Sequence, residues 1–243
     1  MRRLFWISGT YVLLLVAGCG RQPAASPAAH ATAFGAAIVE SSGGKQLGTP
    51  GAALPQPLVV QVNDAQGNAV AGAPVSFSGP AGVGFDPTDG VTDSNGQVTT
   101  TVTLVGISGR YALRAASLDK SGRPFTVNIT ELALGYQEQA GYAVDQNYCA
   151  RCHDQESSAE RVSNYDNLAV KPHAFTDGQA QNALSDADLT AIINHGGPAL
   201  NRSALMPPYG ATLSKAEVQA AIAYIRLVSD PPWRAAGVVY AKR

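Results

Sequence analysis

The apolar pattern of this chain changes period once, near Gly135, and that change divides whatever the chain folds into. Before it, apolar residues recur at every second position. Leu58, Val60 and Val62 alternate with Val59, Gln61 and Asn63, and Val98, Val102 and Leu104 are interleaved with threonines. Tyr111, Leu113 and Ala115, then Phe125, Val127 and Ile129, repeat the scheme. A period of two lines one face of a strand. Turn signals separate the runs at Asp64-Ala65-Gln66-Gly67-Asn68, Asp93-Ser94-Asn95-Gly96 and Ser121-Gly122. Short alternating strands between Gly/Asn turns predict an all-β antiparallel sandwich over residues 34–134.

After Gly135 the period becomes helical. Ala140, Val144 and Tyr148 recur at four-residue spacing within residues 138–150. Ser185-Asp186-Ala187-Asp188 offers an N-cap with an acid three positions on; Leu189, Ile192 and Ile193 follow, and Gly196-Gly197 ends that helix. Ser214-Lys215-Ala216-Glu217 is a second capping box, followed by the stripe Val218, Ala221, Ile222 and Ile225 and the stop Pro231-Pro232. Residues 135–243 are therefore predicted all-α, with three helices. Their large apolar residues are too few for a self-sufficient core, so something else is expected to fill the middle.

The stretch NYCARCHDQ, residues 147–155, puts two of the chain's three cysteines beside one of its four histidines. Three chemistries use such a neighbourhood. A redox dithiol wants C-x-x-C at a helix start after a strand in a βαβ unit, whereas here the motif ends a helical stretch. Zinc needs four ligands, and Cys149, Cys152 and His153 would have to be completed by His173 or His195. Covalent haem attachment asks for thiols at i and i+3 on one face of a turn, each able to join a vinyl group, with the next residue, His153, reaching iron. The last option also suits an exported chain.

Export is written at the N-terminus. Arg2 and Arg3 precede a short apolar run, residues 4–17, too brief for the roughly 20 residues a membrane-spanning helix needs. Residues 1–18 read as a secretory signal. Val16-Ala17-Gly18-Cys19 resembles the lipobox of bacterial lipoproteins, which implies that Cys19 is lipidated and begins the mature chain. Residues 19–33 are rich in Ala, Pro and Ser and read as a flexible tether, with His30 solvated in it. Gly20 stands where an aspartate would mark inner-membrane retention, which points toward the outer membrane. The formal net charge is -1 and no Lys/Arg-rich run occurs, so nucleic-acid binding has no electrostatic footprint.

Two resemblances add to these readings. The run PLVVQVNDAQGNAVAGAPVSF…DGVTDSNGQVTTTVTL…GRYALRAAS resembles the bacterial Ig-like repeats of the invasin and intimin type, modules that serve as spacers or adhesive stalks and are available to contact a protein partner. Asp86, Asp89 and Asp93 lie close in its sequence, where turn aspartates usually satisfy backbone N–H groups and do not bind calcium. Residues 134–231, with a first helix running into C-x-x-C-H and a last helix reading AAIAYIRLV, resemble the class I cytochromes c. That resemblance implies one covalent haem c held by Cys149 and Cys152, with His153 and Met206, in LMPPYG, as the axial iron ligands. It implies a carbonyl at Pro172 for the ligand histidine's N–H, a close helix contact between Gly141 and Tyr224, and Tyr209 and Arg202 near the propionates. His195 reads instead as a helix C-terminal device.

The expected protein is a lipid-anchored monohaem electron carrier of the bacterial cell envelope, on its periplasmic or outer-membrane face. It would exchange electrons with redox protein partners and would not itself be an enzyme. Two alternatives stay open: the haem subunit of a larger envelope oxidoreductase, and an Ig-like surface-binding protein with an accessory haem domain.

Overall fold

The structure is a computed structural model that describes residues 33–155 and 162–233. The signal segment, Cys19, His30 and the tether to residue 32 lie outside the described residues. The described residues all fall in one compact unit. No helix among the described residues is long and apolar enough to cross a membrane.

The period-two region forms nine strands: β1 (Ala37–Ser42), β2 (Leu47–Gly48), β3 (Leu58–Asn63), β4 (Pro74–Ser78), β5 (Gly84–Asp86), β6 (Asp89–Val91), β7 (Gln97–Thr103), β8 (Gly109–Leu118) and β9 (Pro124–Ala133). They build two sheets, ordered β1-β3-β7-β5 and β2-β9-β8-β4-β6. Every pairing is antiparallel except the short one of β2 with β9. Alternation sets the burial: Leu58, Val60 and Val62 of β3 are wholly buried, as are Leu113 and Ala115 of β8. Each such Leu or Val side chain contributes about 1.5–3 kcal/mol when removed from water.

Three Asp-x-x-Gly turns close the loops in the same way. The Oδ1 of Asp64, Asp93 and Asp119 accepts the N–H two residues on, from Gln66, Asn95 and Ser121 at 2.8–2.9 Å. Gly67, Gly96 and Gly122 follow with φ of +87°, +71° and +78°, a region costly for any side chain. Asp93 thus has the turn role expected of it, whereas Asp86 and Asp89 lie at strand ends beside Pro87-Thr88. The inward face of β9 carries an acid: Glu131, opposite Tyr111 and between Ile129 and Ala133 on that face, is fully buried.

Among the described residues five α-helices follow where three were expected. The first stretch, α1 (Tyr136–Val144), passes through one π-helical turn, Asp145–Cys149, into the short α2 (Ala150–His153). The others are α3 (Gly178–Asn182), α4 (Asp186–His195) and α5 (Lys215–Val228). Both predicted capping boxes form, Ser185 with Asp188 and Ser214 with Glu217. With five residues, α3 is too short to show a period, and the side chain of Asp177 caps it. Helices α1 and α5 cross at Gly141, where an added Cβ would stand 2.0 Å from Ala220 O and 2.8 Å from Tyr224 Cβ. That is the Gly141/Tyr224 contact the resemblance implied. Arg226 of α5, almost wholly buried, donates to Gln181 O, Leu184 O and Asp186 Oδ1 at 2.6–3.0 Å and fastens α5 to the start of α4.

Sandwich and helices share an interface. Ser108 Oγ accepts from Gly135 N (3.1 Å), and Arg110 of β8 donates from Nη1 to Val228 O (3.1 Å) and pairs through Nη2 with Asp230 Oδ2 (3.2 Å). Leu134, Tyr224 and Val228 form a small apolar cluster there with Leu47, Leu132, Tyr142 and Phe175.

Candidate functional site

The helices surround a cavity of about 620 Å³, within the ~300–1,000 Å³ of small-molecule and cofactor sites. Its walls are largely apolar, formed by Val144, Leu184, Leu189, Ile193, Leu213 and Ile225 from the inner faces of α1, α4 and α5 and the loops between them. Native interiors tolerate few voids larger than a water, so an apolar concavity of this extent is a binding cradle. Cys149, Cys152, His153, Pro172, Arg202, Met206 and Tyr209 all line it. Residues 57 positions apart in sequence, from Cys149 to Met206, therefore meet in one place.

The π-turn and α2 present both thiols and the imidazole. His153 Nδ1 lies 2.9 Å from the carbonyl of His173. A carbonyl can only accept, so Nδ1 carries the proton and Nε2 keeps its lone pair. Burial holds the imidazole's pKa below its usual value, with the His173 carbonyl opposing the shift, so the ring is neutral at pH 7 and able to bind a metal. The acceptor corrects the assignment to Pro172: Pro172 lines the cavity, but the next carbonyl faces the ring. Residues 171–174 have no helical winding, so neighbouring carbonyls point different ways and only one of them meets Nδ1. The ring of Phe175 stacks on His153 at 4.5 Å and 20°. No sequence period singled out Phe175, although it is the one large apolar residue between Pro172 and Gly178.

Met206 is brought in by a loop stitched to the end of α4. Tyr209 and Gly210 donate their N–H groups to Ile193 O and Asn194 O, and Gly197 donates to Met206 O at 3.1 Å. The helix's last carbonyls, which have no partner inside it, are thus satisfied by the loop they hold. Approach this close requires Gly196-Gly197: a Cβ on Gly196 would stand 2.7 Å from Met206 O, and one on Gly197 2.0 Å from Ser203 O. Pro207 and Pro208 need no N–H partner and restrict the backbone further.

Tyr209 and Arg202 fare differently as propionate partners. Tyr209 Oη donates to Tyr148 O at 3.0 Å, and the two rings pack edge to face. Its only proton is therefore spent on the backbone and is not free for a carboxylate, which corrects that expectation. Arg202 is exposed and lines the cavity.

The rival chemistries lose their geometry. His195 is exposed and borders a different depression, while the His173 ring turns to Asp177 Oδ2 at 2.9 Å. Neither completes a tetrahedral zinc set with the two thiols, and no group of three or more His, Cys, Asp or Glu gathers to hold an ion among the described residues. A redox dithiol needs one thiol of lowered pKa. Burial, then Asp145 and Cys152, push Cys149 up to about 12, which does not suit that cysteine to be the reactive one.

Family comparison separates the two halves of the chain. Residues 55–130 match the model for bacterial Ig-like domain (group 1), and residues 137–225 match that for cytochrome C oxidase, cbb3-type, subunit III. The chain joins a bacterial Ig-like domain to a cytochrome c domain. The cytochrome c domain implies haem, and its match runs from α1 past the two thiols, His153 and Met206 into α5. No curated protein matches the chain. Among solved structures it is similar to the D00-D0 domain of intimin, with 18% identity, 41% of this chain and 46% of that one covered, and a TM-score of 0.32. It is also similar to the adhesin InvE of Yersinia pseudotuberculosis (21% identity, 41% and 32% covered, TM-score 0.29) and to invasin, a bacterial integrin-binding protein (18%, 40% and 19%, TM-score 0.30). The chain spans about half the length of the intimin structures and less of the other two.

Proposed function

We propose that this protein is a lipid-anchored, monohaem c-type cytochrome that carries single electrons between redox partners in the bacterial cell envelope. The observation that carries the proposal is the meeting of Cys149, Cys152, His153 and Met206 on the wall of one apolar cavity, with the His153 Nδ1–H committed to a backbone carbonyl. Cys149 and Cys152 would hold one haem c through thioethers, and His153 Nε2 and the Met206 thioether would ligate its iron. Bound there, haem supplies reversible one-electron chemistry. A thioether beside an imidazole favours the ferrous state more than two imidazoles do. The chain's own part is to orient the imidazole through His173 and Phe175, to hold the sulfur through the loop on α4, and to keep water from the apolar walls. With both ligands in place no position is open for a substrate, which suits a carrier more than an enzyme.

The proposed boundaries are signal 1–18, tether 19–33, Ig-like domain 34–134 and cytochrome domain 135–243. Lipid on Cys19 would contribute about 0.8 kcal/mol per buried CH₂, with two or more chains giving a stable anchor. The tether would then keep the carrier near membrane-bound partners at high effective concentration.

The test is a haem stain after denaturing electrophoresis, together with optical spectra of the parent and Met206→Ala in both oxidation states. A stain that survives denaturation and a spectrum altered in the variant are expected. A colourless, exported parent whose Cys149 and Cys152 react with a thiol reagent would refute the proposal. A second reading draws on the matched family's description as an oxidase subunit: the chain would be the haem subunit of a larger envelope oxidoreductase. Stoichiometric co-purification with a larger polypeptide in mild detergent would favour it.

A further inference from the structure

The backbone that holds the His153 ring is itself held from outside the cytochrome domain. His173 gives the carbonyl to Nδ1, and Phe175 gives the stacked ring. Both belong to residues 173–177, which have no helix or sheet ladder of their own before α3 begins. Such a segment positions something only if its neighbours fix it. The chain just past α5 does so: Asp230 N donates to Thr176 O (3.0 Å) and Gly178 N to Asp230 O (3.1 Å), which closes a bridge between Asp177 and Asp230. The two backbones approach so closely that a Cβ on Gly178 would stand 2.3 Å from Pro231 O. Ser229, fully buried between them, keeps its Oγ 3.4 Å from Phe175 O.

The sandwich in turn grips residues 228–230. Arg110 holds Val228 O and Asp230 Oδ2 with two nitrogens of one guanidinium, and its side chain is only 26% exposed. Phe175 packs in the same apolar cluster as Leu47, Leu132 and Leu134. A continuous line of contacts thus runs from β8 through the end of α5 to the histidine ring.

We propose that the Ig-like domain is part of the redox site and not only a spacer, and that Arg110 is a positioning residue for His153. The proposal rests on the haem reading above. Orientation and hydrogen bonding of a ligating imidazole set its basicity, and through it the properties of the metal. Arg110 suits this role because its planar fork serves a carbonyl and a carboxylate together, which a lysine ammonium on a flexible stem does less rigidly.

The experiment uses the full-length, haem-loaded protein as parent, Arg110→Met, Arg110→Lys and Asp230→Asn. Arg114→Met is the control, an exposed arginine of the same strand hydrogen-bonded to Asn128. Reduction potential is read by optical titration, and hydrogen exchange is followed over residues 173–182. Arg110→Met is expected to shift the reduction equilibrium at least threefold, about 28 mV at 59 mV per tenfold for one electron, and to speed exchange over residues 173–178 at least tenfold. Arg110→Lys and Asp230→Asn should fall between it and the parent, and Arg114→Met should match the parent. If Arg110→Met does not accumulate, Asp230→Asn carries the test, because that aspartate is 60% exposed. A haem-loaded Arg110→Met with a lowered melting point but the parent's potential would overturn this proposal alone. A parent without covalent haem would overturn the functional reading and this proposal together.

Discussion

Gly141→Ala puts the helix crossing at the centre of the cytochrome domain to a quantitative test. The added Cβ would stand 2.0 Å from Ala220 O and 2.6 Å from Ala220 C, both backbone atoms of α5. No rotamer change can relieve that contact, so the helices must part by about 1 Å, a gap that forfeits a quarter to a half of each dispersion contact across it. Overpacking of this kind costs about 1–3 kcal/mol, and the rigidity of the obstacle favours the upper half of that range. Alanine recovers about 1 kcal/mol of helix propensity over glycine. The balance is a net loss of about 1–2 kcal/mol, or a fall of about 2–8 °C in melting temperature for a protein of this size. The assay is thermal unfolding of the loaded protein beside Gly106→Ala, where an added Cβ meets nothing within 4 Å. A Gly141→Ala protein as stable as the parent, or more stable, would refute the close crossing.

Other consequences are as direct. Gly197→Ala should push the Met206 loop off α4, lowering the melting point and weakening the spectroscopic signature of the proposed thioether ligand; an unchanged spectrum would separate the loop's seating from ligation. Arg226→Met should cost about 3 kcal/mol in denaturant titration, because Gln181 O and Leu184 O lose a charged donor. Glu131 gives a pH dependence. Burial raises its pKa from 4.5 to about 7, with the Gln46 N–H opposing and Glu40 adding to the rise. The folded state therefore binds the extra proton between those values, and stability falls as pH rises through that window, by at most about 3 kcal/mol. Glu131→Gln should flatten the curve between pH 5 and 8; an unaltered slope would mean that Glu131 does not titrate there.

What the sequence reveals and what it hides follow from how local each feature is. Alternation in β3, β8 and β9, the two capping boxes and the C-x-x-C-H turn depend on residues within one element and can be read by spacing. Met206 is readable because it is the one methionine beyond Met1 and is followed by two prolines. The π-turn at Asp145–Cys149 is hidden, since the four-residue recurrence of Ala140, Val144 and Tyr148 looks like unbroken α-helix. The carbonyl on His153 is also hidden: extended backbone offers several candidates and only the tertiary path selects His173 over Pro172. The Arg110 clamp joins residues 118 positions apart, and no period in either domain records it.

The sandwich core draws on residues 38–133 alone. During synthesis it can reach its final packing before any prosthetic group is present, and domains made first generally fold first. Arg110 and Leu132 then stand in place as a finished template while the later helices are still being closed around their cargo. The Ig-like half would on this view be a jig for assembly of the other, so that its mutations show first as poor maturation of the coloured protein.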